Sequence, residues 1–254
     1  IGLCATPTWS FISEKAWGYR SVERTVTDLH KMGNSNDLGI ALQGKLDSAG
    51  RFGYNLMIGN GTGSKVENDR FKKFYGDVYM KFMKQKLIVD LYADYECAQL
   101  YPDVKSKMTL KLFVAWKSEK FTVGMEAVQQ QQKNYANVTT PTPVTTYIAD
   151  VMPFGVAVFV KGTIKKDKLA YFIRGDIYDP NADYDQENTY SSGYSGYTNE
   201  VFSVFGLDWM PMKNVHVMPN LWYSGFASKK KNVNGLEASD YDLVPRVTLH
   251  YIFK

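Results

Sequence analysis

Apolar and polar side chains alternate along most of this chain, with a period of two that holds from Asp37 to the end. Successive side chains of an extended strand point to opposite sides, so this period predicts strands with one apolar and one polar face. Leu38, Ile40, Leu42 and Leu46 make the first apolar row, and Phe52, Tyr54, Leu56 and Ile58 the second. Phe74, Val78, Met80 and Phe82 follow, then Leu87, Val89, Leu91, Ala93 and Tyr95, then Met108, Leu110, Leu112, Val114 and Trp116. Rows of the same kind begin at Phe121, Phe154, Leu169, Val201 and Val215. The last, from Leu243 to Phe253, has the length of a transmembrane strand, roughly 9–11 residues. The rows predict about eleven strands, or about twelve if Ile1–Thr8 adds one.

No apolar row contains a charge, and the opposite rows hold nearly all the strand charges, of both signs. A soluble sandwich also alternates, but a lipid-facing wall gives a stricter reason for the exclusion. Arg or Lys at mid-membrane costs about 2–4 kcal/mol. Tyr95, Trp116, Trp209, Tyr223 and Tyr251 stand near strand ends, where aromatic girdles meet the membrane interface.

The connections carry a second pattern. Short turns are predicted at Asp47–Arg51, Lys84–Lys86, Lys117–Lys120, Lys165–Lys168 and Pro211–Asn214. Between them lie long connections at Asn60–Lys72, Ala98–Ser106, Gln131–Tyr147, Asp179–Thr198 and Ser224–Tyr241. Short and long alternate, as tight periplasmic turns and longer external loops do in outer-membrane barrels. Greek-key links of a sandwich have no reason to keep that order.

One stretch breaks the strand period. Between Trp9 and Asn34, Glu14, Lys15, Arg20, Glu23, Arg24 and Asp28 sit among Trp17, Val22, Val26 and Leu29 at helical spacing. One or two short helices are predicted, interrupted at Gly18. Strand parity places this segment on the long-loop side, from which it folds into the lumen.

The sequence thus predicts one all-β domain over residues 1–254, an antiparallel up-and-down transmembrane β-barrel. Residues 9–34 are its helical constriction or plug and residues 35–254 its strands. The blunt start at Ile1 suggests the C-terminal part of a larger barrel, of about 14–18 strands.

Particular motifs point the same way. The ending LVPRVTLHYIFK resembles the terminal strand of bacterial outer-membrane β-barrels, in which alternate apolar residues lead to a final aromatic. Here Lys254 follows Phe253, one place beyond that pattern. The segment TPTWSFISEKAWGYRSVERTVTDLHKMGNSNDLGI and the later WMPMKNVHVMPNLWYSGF resemble porin-like proteins of the Bacteroidota. The resemblance implies a diffusion channel in the bacterial outer membrane, with the C-terminus periplasmic and the long loops extracellular. It implies outer-membrane lipid and small polar solutes as partners, with a homo-oligomer or a larger outer-membrane complex as further company.

Composition changes this picture little. Apolar residues are 44% of the 254 and mean hydropathy is −0.31, yet a barrel hides its apolar residues at every second position. Aromatics reach 15%, with 18 tyrosines, as girdles and external loops require. The net charge of +4 is spread along the chain and does not point to nucleic acid. Cys4 and Cys97 imply neither a disulfide nor a metal site.

Opposite charges lining a lumen set up a transverse field that orients polar solutes. The candidate constriction is Glu14, Arg20, Glu23, Arg24 and Asp28, facing Lys81, Asp90, Asp94, Lys111, Arg174 and Asp176. The plainer reading is that these charges pair with one another and brace the wall. Asp179, Asn181, Asp183, Asp185 and Glu187 place oxygens at every second position of a long loop, a candidate calcium site. An EF-hand would need Gly and Glu where Tyr184 and Tyr190 stand, and a solvated acidic loop is the simpler reading. No other cofactor is expected. The histidines are His30, His216 and His250, and no serine has a nucleophile elbow, so no enzyme is expected. Two alternatives stay open: a barrel that anchors or scaffolds partners without transport, and a soluble β-barrel or sandwich that binds a ligand.

Overall fold

The strand-period rows form strands that pair with their neighbours in sequence. The computed structural model describes residues 1–67, 69–191, 198–228 and 240–253. The first half holds β1 (Gly2–Ala5), β2 (Asn36–Lys45), β3 (Phe52–Gly59), β4 (Lys73–Phe82), β5 (Leu87–Gln99), β6 (Lys105–Lys117) and β7 (Phe121–Pro141). The second holds β8 (Val144–Val151), β9 (Phe154–Lys165), β10 (Leu169–Asp179), β11 (Thr189–Tyr190), β12 (Thr198–Met212), β13 (Val215–Ser228) and β14 (Asp240–Tyr251). All lie in one 14-stranded sheet, antiparallel and up-and-down, whose main path omits only β8 and β11.

The sheet is not closed into a barrel. Its edges are β1 and β14, which do not pair with each other among the described residues. Four residues of β1 stand against twelve of β14, so the edges do not offer matching ladders of backbone donors and acceptors.

Turn chemistry fixes the hairpins. Asp47 accepts from the Arg51 and Phe52 amides at 2.6 and 3.0 Å, and from Arg51 Nε at 2.8 Å. Those bonds, the Arg51 guanidinium first, hold its carboxyl below the usual carboxylate range. The turn before β5 uses left-handed backbone at Met83, Lys84 and Gln85, and Asp167 and Asn214 serve two later turns.

Two connections differ from expectation. The predicted loop Gln131–Tyr147 is mostly strand: β7 runs unbroken to Pro141 and folds back as β8. The β-branched residues of NVTT and VTT suit an extended pair, and the prolines fall only where the chain reverses. The β5–β6 connection shrinks to residues 100–104, because both strands extend past the predicted loop ends. The run Lys229–Lys231 lies outside the described residues. Among the described residues no helix is long and apolar enough to cross a membrane, which says nothing about strands.

The segment before β2 holds α1 (Ser13–Trp17) and α2 (Val26–Leu29). Gly18 ends α1 in left-handed backbone (φ 71°), returning its N–H to the Glu14 carbonyl at 2.7 Å, as glycine allows without strain. The segment lies on one face of the sheet, here called the inner face. Trp9, Trp17, Val22, Val26 and Met32 are buried in it.

Candidate functional site

Parity sorts the strand side chains into two environments. Asp37, Asn55, Lys73, Asp77, Asp90, Asp94, Lys111, Glu126, Arg174, Asp176 and Asp208 are all buried. The neighbouring apolar rows face out: Ile40, Leu56, Phe74, Leu91, Leu110, Ile173, Phe205 and Leu249 are exposed. Leu91 is 44% exposed and Asp90, beside it on β5, is 1% exposed. Tyr95, Trp116, Trp209, Tyr223 and Tyr251 are likewise exposed on the outer face. Two grooves indent that face: one of about 780 Å³ among Ile173, Phe205, Leu221 and Val247, another of about 620 Å³ among Leu56, Leu91, Leu110 and Phe154.

The inner face is not uniformly polar. Phe113, Phe159, Phe172 and Phe202 occupy inward positions and form a cluster with Trp17, Val22, Val204 and Met218. The Trp17 ring lies 5.3 Å from that of Phe159 and 6.1 Å from that of Phe172. Gly124 leaves room for the Phe159 ring, which a Cβ there would strike. The space left between segment and wall among Ser13, Trp17, Phe113 and Arg174 is only about 10 Å³. The segment therefore fits this half of the face as a packed core does.

Charged and polar groups hold the rest. Lys111 Nζ is 3.0 Å from Asp90 and 3.4 Å from Ser13 Oγ of α1. Lys73 reaches Asp94 at 3.1 Å and Glu96 at 3.5 Å. Arg174 pairs bidentately with Asp176 and donates to the Arg24 carbonyl. The Thr27 hydroxyl donates to Glu126 at 2.6 Å, Gln130 donates to the Met32 carbonyl at 2.9 Å, and Thr8 donates to Tyr92 at 2.9 Å. Tyr19 donates to Asp208 at 3.3 Å, and burial followed by the Asp208 charge pushes its hydroxyl far above the ordinary value. Asp208 also meets His216 Nδ1 at 2.9 Å. Asp77, Asp90 and Asp94 each keep one carboxylate oxygen without a partner among the described residues.

The predicted constriction charges are close together but mostly face one another. Arg20 pairs with Glu14 and, at 2.6 Å, with Asp28. Burial opposes its charge, but these two carboxylates outweigh that and raise it. Arg24 approaches Glu23 at 3.9 Å. Of the predicted lining, Asp90, Asp94, Lys111, Arg174 and Asp176 are paired within the wall, and Lys81 is not. The segment meets the wall instead through Ser13, Thr27, Tyr19 and backbone carbonyls. Glu126, Asp208, Tyr92 and Gln130, which carry those contacts, escaped selection. Inward parity is the signal in the sequence that marks them, and Gln130 is buried although it stands in a run of four glutamines.

His30 closes the segment. Its ring stacks on Tyr178 at 3.5 Å, and burial, then the Arg174 charge, lowers its pKa to about 4. It is therefore neutral at pH 7, and its 3.9 Å approach to Glu200 is not an ion pair there.

The calcium candidates do not converge. Asp179 accepts from the Asn181 amide at 3.0 Å, Asn181 Oδ1 from the amides of Met152 and Asp183, and Asp185 from that of Glu187 at 2.9 Å. These oxygens shape turns. No metal-holding group of three or more acidic, His or Cys side chains occurs among the described residues. Cys4 and Cys97 are free and half-buried.

No family model matches the chain, and no curated protein matches its sequence.

Proposed function

We propose that this sheet is the wall of an outer-membrane β-barrel channel, narrowed by the Trp9–Asn34 segment, through which small polar solutes diffuse. One observation carries the reading: the apolar rows are exposed, whereas Asp77, Asp90, Asp94, Lys111, Glu126, Arg174 and Asp176 of the opposite rows are buried. Water rewards the opposite arrangement, whereas acyl chains reward this one. In lipid the edges β1 and β14 must find partners, since unpaired backbone groups there cost several kcal/mol each, of order. Closure of the wall is part of the proposal. The short turns and C-terminus lie on the periplasmic side and the longer connections outside. Lipid is the partner of the outer face, and a second copy or an outer-membrane complex would use the same face.

A second reading has its own observation. The tight seat of Trp17 in the aromatic cluster fits a barrel that is plugged and serves as an anchor or scaffold. A soluble ligand binder would have to leave the outer rows in water, and it would stay monodisperse without detergent.

Liposome swelling with small sugars and planar-bilayer conductance separate the first two. A channel passes solute and gives discrete conductance steps. A sealed scaffold passes nothing until the segment is loosened by Trp17→Ala. Charge reversal at Arg20 and Arg24 changes ion selectivity if the segment borders the passage; unchanged selectivity excludes that role.

A further inference from the structure

Four strands bring a lysine to the short-turn end of the inner face. Lys45 ends β2, Lys81 stands one residue from the end of β4, Lys117 ends β6, and Lys161 lies near the end of β9. Each has the parity of its strand's inward row, marked by buried Asp37 for Lys45, Asp77 for Lys81, Lys111 for Lys117 and Ala157 for Lys161. Lys15 of α1 joins them from the helical segment. Lys15, Lys45 and Lys117 all act electrostatically on Lys81, and Lys117 acts on Lys161.

None of these ammonium groups has a carboxylate partner in the ion pairs among the described residues, in contrast to Lys73, Lys111 and Arg174 deeper in the sheet. Three of them meet ring faces instead. Lys81 lies 5.0 Å from the centre of Tyr79, Lys161 5.6 Å from Tyr19 and Lys15 5.6 Å from Phe11. A cavity of about 230 Å³ opens beside Lys161, lined also by Tyr19, Ser118, Thr122 and Thr163 together with Glu119 and Lys120. Glu119 is exposed in the turn and pairs with none of the cluster.

Like charges gathered without counter-charges repel, and in a partly desolvated mouth the repulsion is screened less than in water. An anion between them reverses the sign of that interaction. Lysines accept such an anion as point charges, without demanding one planar geometry. The adjoining hydroxyls of Thr122 and Thr163 can donate to its oxygens. We infer that Lys15, Lys45, Lys81, Lys117 and Lys161 form an anion-binding mouth that takes oxyanions carrying more than one negative charge. This names a solute class for the proposed passage and rests on that reading for its role in transport, whereas binding itself can be measured without transport.

The test uses the purified full chain in detergent, with pyrophosphate as probe, followed by planar-bilayer recordings across a potassium chloride gradient. Pyrophosphate binds the unaltered chain, and its affinity falls as salt rises. Lys81→Gln with Lys117→Gln weakens it about tenfold or more, as loss of charge-assisted contacts does. Lys81→Arg with Lys117→Arg keeps the charge and keeps binding, which separates charge from a failure to fold. No binding by the unaltered chain, or equal binding by the Gln pair, overturns the inference. Binding without conductance supports the anion site and removes the channel; conductance with no pyrophosphate binding keeps the channel and removes the anion site.

Discussion

Ile173 and Arg174 are neighbours on one strand and live in opposite surroundings. Ile173 is 54% exposed on the outer face, while Arg174 is 2% exposed, pinned between Asp176 and the Arg24 carbonyl. A soluble domain would exchange their places, since burying a guanidinium is costly unless it is paired and burying an isoleucine is favourable. The same inversion recurs at Leu91 and Asp90. It teaches that the inner face is stabilised by specific pairing and the outer face only by whatever solvent covers it. Each face can therefore be broken separately.

The inner face breaks first and hardest. Lys111→Met leaves the buried Asp90 carboxylate without its cation, and removal of one partner of a buried pair costs about 3–5 kcal/mol. Thermal unfolding in detergent should show a large drop, and Lys111→Met combined with Asp90→Leu should recover much of it. Additive losses in the double variant would mean that the pair is not acting as a unit.

The outer face responds to the opposite change. Ile173→Lys should cost about 2–4 kcal/mol in a bilayer if Ile173 lies near its middle. In detergent solution the same variant should lose far less. Equal stability of variant and parent in vesicles would place Ile173 away from acyl chains.

Acid loosens the seam between segment and wall. Because the pKa of His30 in the folded chain, about 4, lies below its unfolded value, the unfolded state binds the extra proton first. The stabilisation from neutral His30 is complete above the unfolded value, roughly 6.5, and is lost as pH falls from there toward about 4. It amounts to at most about 3 kcal/mol. Hydrogen-exchange protection of residues 13–30, corrected for the intrinsic pH dependence of amide exchange, should fall over that window, and His30→Phe should flatten the dependence. An unchanged pH profile in His30→Phe would assign the loosening to other groups.

The smallest effect concerns one bond. Thr27→Val removes the hydroxyl bond to Glu126 at the foot of α2, worth about 1 kcal/mol net and more where the carboxylate is left short of a donor. Exchange should quicken in α2 and not in α1, which Trp17 holds independently.

Strand positions and the two helices were legible because parity and helical spacing are local and Gly18 marks a stop. The β7–β8 hairpin was not, because its prolines and glutamines look like loop residues until their partners are known. Barrel closure was not legible either, since matching of the edges is a property of the whole sheet. In the site, the segment's own charges satisfy each other, Arg20 with Glu14 and Asp28. The contacts that seat the segment use Ser13, Thr27 and main-chain carbonyls, which alternation does not rank. Phe113, Phe159 and Phe172 interrupt the polar rows, and their meaning depends on Trp17 arriving opposite them.

The direct test is nitroxide scanning in lipid vesicles after replacing Cys4 and Cys97 with serine. Single labels go at Leu91, Leu110, Ile173 and Phe205 on one set of rows, and at Thr109 and Thr248 on the other. Labels on the apolar rows should collide with dissolved oxygen and be shielded from a water-soluble nickel chelate, with shielding greatest near mid-strand. Chelate access to the Leu91 and Ile173 labels equal to that of a water-exposed turn label would contradict a lipid-facing wall.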